Sequence, residues 1–62
     1  MIENIQVVGL SKQEALTQLK ENQIWFRIAR EDANYYILTR DMQLNRLNLV
    51  IEDGVVVEAY IG

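Results

Sequence analysis

The stretch LNRLNLVIEDGVVVEAYI, residues 44–61, decides the fold of this chain. From residue 44 apolar and polar side chains alternate, which is the period-two pattern of a strand with one buried face. Residues 52–54, EDG, are typical of a turn, and the β-branched residues after them favour a second strand. We therefore predict an antiparallel hairpin of strands 44–51 and 55–61. One face of its first strand carries Leu47, Leu49 and Ile51, and the other carries Arg46, Asn48 and Val50.

A helix is predicted nearer the N-terminus, over about 12–21. Ser11 is followed three residues later by Glu14, which is the spacing of a capping box. The apolar residues that follow recur on one helical face, and Asn22 suits the end of the helix. That apolar stripe consists of Ala15, Leu16 and Leu19.

A first strand is predicted over residues 24–30, IWFRIAR, because the segment is rich in β-forming residues. Within it we expect Trp25 to be partly buried and to pack in the core rather than to stack on a ligand. The connection 31–43 is long for a compact domain, contains Tyr35 and Tyr36, and has no glycine. It is either an irregular edge strand or an ordered, exposed binding loop, and composition does not separate the two.

Composition limits the functional classes. The chain has 62 residues, enough for one domain with a modest core, and it contains no cysteine and no histidine. Zinc sites and histidine-based catalytic triads are therefore not expected, Ser11 has a capping role, and an enzyme is the least expected class. The carboxylate pairs at 31–32 and 52–53 are interpreted as solvated turn residues, so we expect no metal and no cofactor.

Charge and hydropathy bear on partners and location. The net charge is −3 and the six basic residues are scattered, which argues against nucleic acid as a partner. No apolar run approaches the roughly 20 residues of a membrane helix, so no membrane association is expected. The N-terminal residues show no signal-peptide pattern, which fits either a cytoplasmic protein or a mature secreted form.

Several motifs, in a shared order, resemble the potato inhibitor I family of serine protease inhibitors, the group that includes the eglins and small bacterial relatives. The helix start V-G-L-S-x-x-E-A is carried by residues 8–15. Further on come Thr39–Arg40–Asp41, then Asn45–Arg46–Leu47, and a closing Gly62. The resemblance covers roughly residues 7–62.

The resemblance implies an α+β fold, with one helix packed on a small mixed sheet and a long exposed loop crossing between two parallel strands. The chain would be a single domain, 1–62, and a monomer. Its partner would be a serine endopeptidase of the trypsin or subtilisin type. The reactive segment would be Thr39, Arg40, Asp41 and Met42, with the scissile bond between Arg40 and Asp41.

The same resemblance implies which residues support the loop. Arg46 would hold Asp41, and Gln43 and Asn48 stand where relatives often have further arginines. Because exposed ion pairs contribute little to stability, we expect Arg46→Ala to leave the fold intact while inhibition weakens. Two alternatives stay open: a non-inhibitory module that binds a protein or ligand through the loop or through Trp25, Tyr35 and Tyr36, and a structural piece joined through an exposed strand edge.

Overall fold

The computed structural model describes residues 6–36 and 41–62. Within them, one helix packs on one face of a four-stranded sheet whose spatial order is β2-β1-β3-β4. This confirms the α+β fold. The helix has the predicted bounds. The ends of the strands predicted over 24–30 and 44–51 are displaced by one or two residues. The elements are α1 (Lys12–Glu21), β1 (Trp25–Glu31), β2 (Asn34–Tyr35), β3 (Arg46–Glu52) and β4 (Val55–Ile61).

The two central strands, β1 and β3, pair in parallel, as the resemblance implied. Strand β4 pairs antiparallel with β3, which confirms the predicted hairpin. Its two-residue connection consists of Asp53 and Gly54, whose φ angles are 52° and 74°. Positive φ at both central residues is the requirement of a type I′ turn, and its twist matches that of the flanking strands.

The long connection begins with a short edge strand. Strand β2 pairs antiparallel with β1 through the register Glu31↔Asn34, and Tyr36 N donates to Ala29 O at 3.2 Å. The edge-strand interpretation therefore holds for Asn34–Tyr35. Of the remaining connection, residues 37–40 lie outside the described residues, and they include Thr39 and Arg40 of the predicted reactive segment.

The helix start is capped as the sequence predicts. Ser11 Oγ accepts from Glu14 N at 3.2 Å and donates to the Glu14 carboxylate at 3.1 Å. Upstream, residues 9–12 bond the start of β4: Gly9 N donates to Val56 O, and Lys12 N donates to Gly54 O, both at 2.8 Å. Because Gly9 has a φ of 96°, a glycine suits the turn that leads into this pairing.

The helix ends in a Schellman motif with an unusual residue. Gln23 N donates to Lys20 O at 3.1 Å, and Ile24 N donates to Leu19 O at 2.9 Å. In this motif the residue after the C-cap takes left-handed backbone angles, and here that residue is Gln23, with a φ of 56°. The C-cap Asn22 has a φ of −94° and instead uses its side chain, which donates to Gln18 O at 2.8 Å.

The hydrophobic core lies between α1 and the sheet. Partly buried side chains, among them Leu10, Phe26 and Ile28, surround it. Within the described residues, no helix is long and apolar enough to cross a membrane. The buried core residues are Val7, Ala15, Leu19, Leu47, Leu49, Ile51 and Val56.

We expect Gln23→Gly to stabilise the protein. The left-handed region costs a residue with a Cβ about 1 kcal/mol, and glycine avoids most of that cost. For a domain of this size the melting temperature should rise by up to about 4–8 °C in thermal unfolding. Asn22→Gly is the matched control: it loses the bond to Gln18 O at a position with negative φ, so it should lower the melting temperature.

Candidate functional site

The face of the sheet opposite α1 carries Arg46, which contacts Asp41 of the predicted reactive segment. The parallel register places Trp25 beside Arg46 and Arg27 beside Asn48, and we call these four residues the loop face. Strand β3 was expected to be buried on one side, and this is wrong. Arg46 is only 5% exposed and Asn48 is fully buried, because chain segments cover β3 on both faces.

Arg46 bonds both Asp41, in the long connection, and Gly62, the residue that follows β4. Its Nη2 donates to Asp41 O at 2.8 Å, and its Nη1 lies 3.6 Å from the Asp41 carboxylate. Its Nε donates to Gly62 O at 2.8 Å, and Gly62 N in turn donates to Arg46 O at 3.0 Å. One guanidinium therefore fixes Asp41 and Gly62 together, since its planar fork holds its donors in a rigid arrangement.

Trp25 covers this guanidinium rather than joining the core. The centre of its ring lies 5.2 Å from Arg46 Cζ, a cation–π distance. Trp25 is 49% exposed and lies outside the core cluster, so the expected core packing is wrong. A ring placed over the guanidinium excludes water from it, which strengthens the hydrogen bonds that Arg46 makes.

Asn48 supports Gly62 and not the described part of the loop. Its Nδ2 donates to Gly62 O at 3.0 Å and to Tyr60 O at 3.3 Å. Its Oδ1 accepts from Arg27 Nε across the parallel pair. Asn48 thus donates to the same acceptor, Gly62 O, that Arg46 uses, and its role in loop support stays a prediction.

Gln43 contacts Asp41, two residues before it in the same connection. Its Nε2 donates to the Asp41 carboxylate at 3.0 Å, on the same oxygen that faces Arg46. Asp41 is therefore held at its carbonyl by one side chain and at its carboxylate by two. Met42, between them in sequence, is 73% exposed.

Several large apolar side chains among the described residues are exposed. Leu44 is 81% exposed and Tyr35, on the edge strand, is 79% exposed. Tyr36 and Met42 are also exposed. The centre of the Tyr35 ring lies 5.6 Å from Arg30 Cζ, at the end of β1 away from Arg46, and apolar residues scattered in this way do not by themselves mark a binding surface.

The opposite end of the sheet carries charged pairs rather than a site. The hydrogen bond to Glu31, at 2.9 Å, raises the pKa of the Lys12 ammonium. The hydrogen bond to Glu52, at 2.6 Å, raises the pKa of the Arg30 guanidinium. Asp32 Oδ1 accepts from Asp53 N at 2.8 Å. Residues 6–36 and 41–62 hold no group of three or more candidate ligands that could bind a metal ion.

Sequence reasoning missed three parts of this arrangement. The burial of Arg46 and Asn48 was hidden because the alternation of β3 looks like that of a half-exposed strand. The stacking of Trp25 follows from the parallel register, which no local pattern encodes. Arg27 was not singled out, although its place two residues after Trp25 put it on the same face of β1.

Comparison with protein-family models and with curated proteins gives no match for this chain.

We expect Arg46→Ala to destabilise the fold, which revises the expectation from sequence. That expectation assumed an exposed ion pair, but the Arg46 side chain is 6% exposed and makes hydrogen bonds to two backbone oxygens. Removing a buried charged donor should lower the free energy of unfolding by about 2–3 kcal/mol. Urea denaturation measures this, with Lys20→Ala as control, since it deletes the same charge from an exposed helix position.

Proposed function

We propose that the protein is a serine endopeptidase inhibitor that presents residues 39–42 to a protease as a substrate-like segment. Arg40 would be the specificity residue, and the bond between Arg40 and Asp41 the scissile bond. The observation that carries the proposal is the fixation of Asp41 by the buried Arg46 guanidinium. Asp41 is the residue that would follow the cut.

The physical argument concerns what happens after the bond is attacked. A substrate loses its leaving segment when the peptide bond breaks, whereas a segment held by the body of the inhibitor stays next to the acyl group. Arg46 and Gln43 hold Asp41 from the β3 side, so the new amino group at Asp41 would remain in place. Hydrolysis would then be slow, and tight binding would persist.

Pre-organisation also favours affinity. A loop that is ordered before it binds gives up less conformational entropy on association. Asp41 is bonded to the sheet in the free protein, and Met42 next to it is exposed for contact with an enzyme. An arginine at position 40 suits a specificity pocket with a carboxylate at its base, because the guanidinium can form paired hydrogen bonds there.

A second candidate function is a non-inhibitory binding module on the same scaffold. The exposure of Tyr35, Tyr36 and Trp25 favours it, since aromatic side chains are enriched in binding surfaces. In that case the segment 39–42 would serve as a contact region for a protein or ligand, and no protease would be inhibited.

The deciding experiment is incubation of the protein with trypsin-, chymotrypsin- and subtilisin-type enzymes, followed by activity measurement and by mass spectrometry of the chain. We expect inhibition at micromolar or lower concentration and a slow, single cut after Arg40. Absence of inhibition across the panel would favour the binding module.

Substitution of Arg40 tests its assignment as the specificity residue. Arg40→Ala should weaken inhibition of a trypsin-type enzyme at least about thirtyfold, because truncating a charged anchor in a pocket costs about 2 kcal/mol or more. Arg40→Leu should move the preference toward chymotrypsin-type enzymes. Inhibition constants of the two variants give the answer, and equal constants for Arg40→Ala and the wild type would contradict the assignment.

Gln43→Ala tests the support of Asp41 without disturbing the core. Gln43 bonds a half-exposed carboxylate, so the free energy of unfolding should change by less than about 1 kcal/mol. The Arg40–Asp41 bond should be cut faster during long incubation with a trypsin-type enzyme, as followed by mass spectrometry. Thr17→Ala, on the exposed side of α1, is the control. Equal cutting rates in both variants would speak against this support.

A further inference from the structure

We propose that Trp25 is a positioning residue of the inhibitory segment, whose ring keeps the Arg46 guanidinium in place on Asp41. This role rests on the proposed function, in which Asp41 must stay in position after the bond before it is cut. Neither the sequence patterns nor the resemblance assigns it to Trp25.

The Arg46 side chain makes its hydrogen bonds to residues that lie outside the helix and the strands. Its Nη2 donates to Asp41 O and its Nε donates to Gly62 O, both at 2.8 Å. Asp41 lies in the long connection and Gly62 follows β4. These two bonds fix Asp41 only as well as the guanidinium is itself fixed, so a support from a regular element matters.

Trp25 is such a support, because β1 is held by the core. Ile24 N donates to Leu19 O at 2.9 Å, which ties the start of the strand to the end of α1. Ile24 and Phe26 both pack against the core cluster, so Trp25 between them has its side chain on the loop face. The parallel register then places Trp25 directly beside Arg46.

The contact between the two side chains links this support to Asp41. The centre of the Trp25 ring lies 5.2 Å from Arg46 Cζ, and the electron-rich face of an indole attracts a guanidinium at that distance. The ring also shields the guanidinium, whose side chain is 6% exposed although Trp25 itself is half-exposed. Without the ring, water would compete for the Arg46 donors, and the bond to Asp41 would weaken.

Substitutions at position 25 separate the ring from the strand. Trp25→Ile removes the ring but keeps an apolar side chain that favours a strand, whereas Trp25→Phe keeps an aromatic face. Tyr35→Ile is the matched control, because it deletes another ring that lies over a guanidinium, 5.6 Å from Arg30 Cζ, at the far end of β1. If Trp25→Ile does not fold, Trp25→Leu replaces it under the same criteria.

The first readout is exchange of the Arg46 Nε proton with water, followed in side-chain ¹⁵N NMR spectra of the free protein. We expect Trp25→Ile to exchange this proton faster than Tyr35→Ile does, because water reaches the uncovered guanidinium. Trp25→Phe should restore most of the protection. Equal rates in Trp25→Ile and Tyr35→Ile, or no rescue by Trp25→Phe, would overturn the proposal.

The second readout is nicking of the Asp41–Met42 and Gln43–Leu44 bonds by a zinc metalloprotease that cuts before apolar residues, followed by mass spectrometry. Trp25→Ile should be nicked there about fivefold faster than Tyr35→Ile, since a cation–π contact of a half-exposed ring contributes about that factor. Equal rates would contradict the proposal. So would an equally large rise in cutting before the buried Leu49, since that rise reports unfolding of the whole domain.

The third readout is inhibition of a trypsin-type enzyme, which Trp25→Ile should weaken more than Tyr35→Ile does. The readouts keep the two hypotheses apart. If the wild type inhibits no serine protease, the proposed function fails, but proton exchange and nicking still decide whether Trp25 positions Arg46 and Asp41.

Discussion

The buried guanidinium of Arg46 is the interaction on which the rest of this site depends. A charge in this position is costly unless its donors are satisfied, and three groups compensate for the loss of water: Asp41, Gly62 and the ring of Trp25. Each group comes from a different part of the chain. The guanidinium can therefore be buried only when the strand register, the closing segment and the loop are all in place.

This dependence couples the position of Asp41 to the fold. Asp41 is held by Arg46, Arg46 is held by Gly62 O, and Gly62 O is held in turn by Asn48. Hydrogen bonds connected in series strengthen one another, because each one fixes the geometry of the next in a region from which water is excluded. The position of Asp41 therefore depends on Gly62, and a change near Gly62 should affect Asp41.

The two faces of the sheet are stabilised by different interactions. On one face, aliphatic side chains of β3 pack against α1 and supply the hydrophobic stabilisation of a small domain. On the other, Arg46 and Asn48 are buried under polar and aromatic groups and contribute geometry rather than apolar area. A chain of 62 residues buries only a small core, so a second face fixed by hydrogen bonds adds geometric constraint in a protein that contains no disulfide.

The sequence by itself determined the elements that depend on local chemistry. Ser11 and Glu14 mark the helix start, Asp53–Gly54 forms the turn of the hairpin, and the alternation of β3 identifies the residues that reach the core. These features need only neighbouring residues, and for that reason they could be predicted. The contact of Arg46 with Asp41 could be anticipated through the family resemblance, since both residues belong to its motifs.

Only the tertiary structure decided how the loop face is built. Residues 25 and 46 are far apart in sequence, and they meet because β1 and β3 pair in parallel with a particular register. The burial of Arg46, the stacking of Trp25 and the bond between Arg27 and Asn48 all follow from that register. A period-two pattern assigns side chains to two faces, but it does not say what covers each face. That is set by long-range pairing, for which no short stretch of this sequence carries a signal.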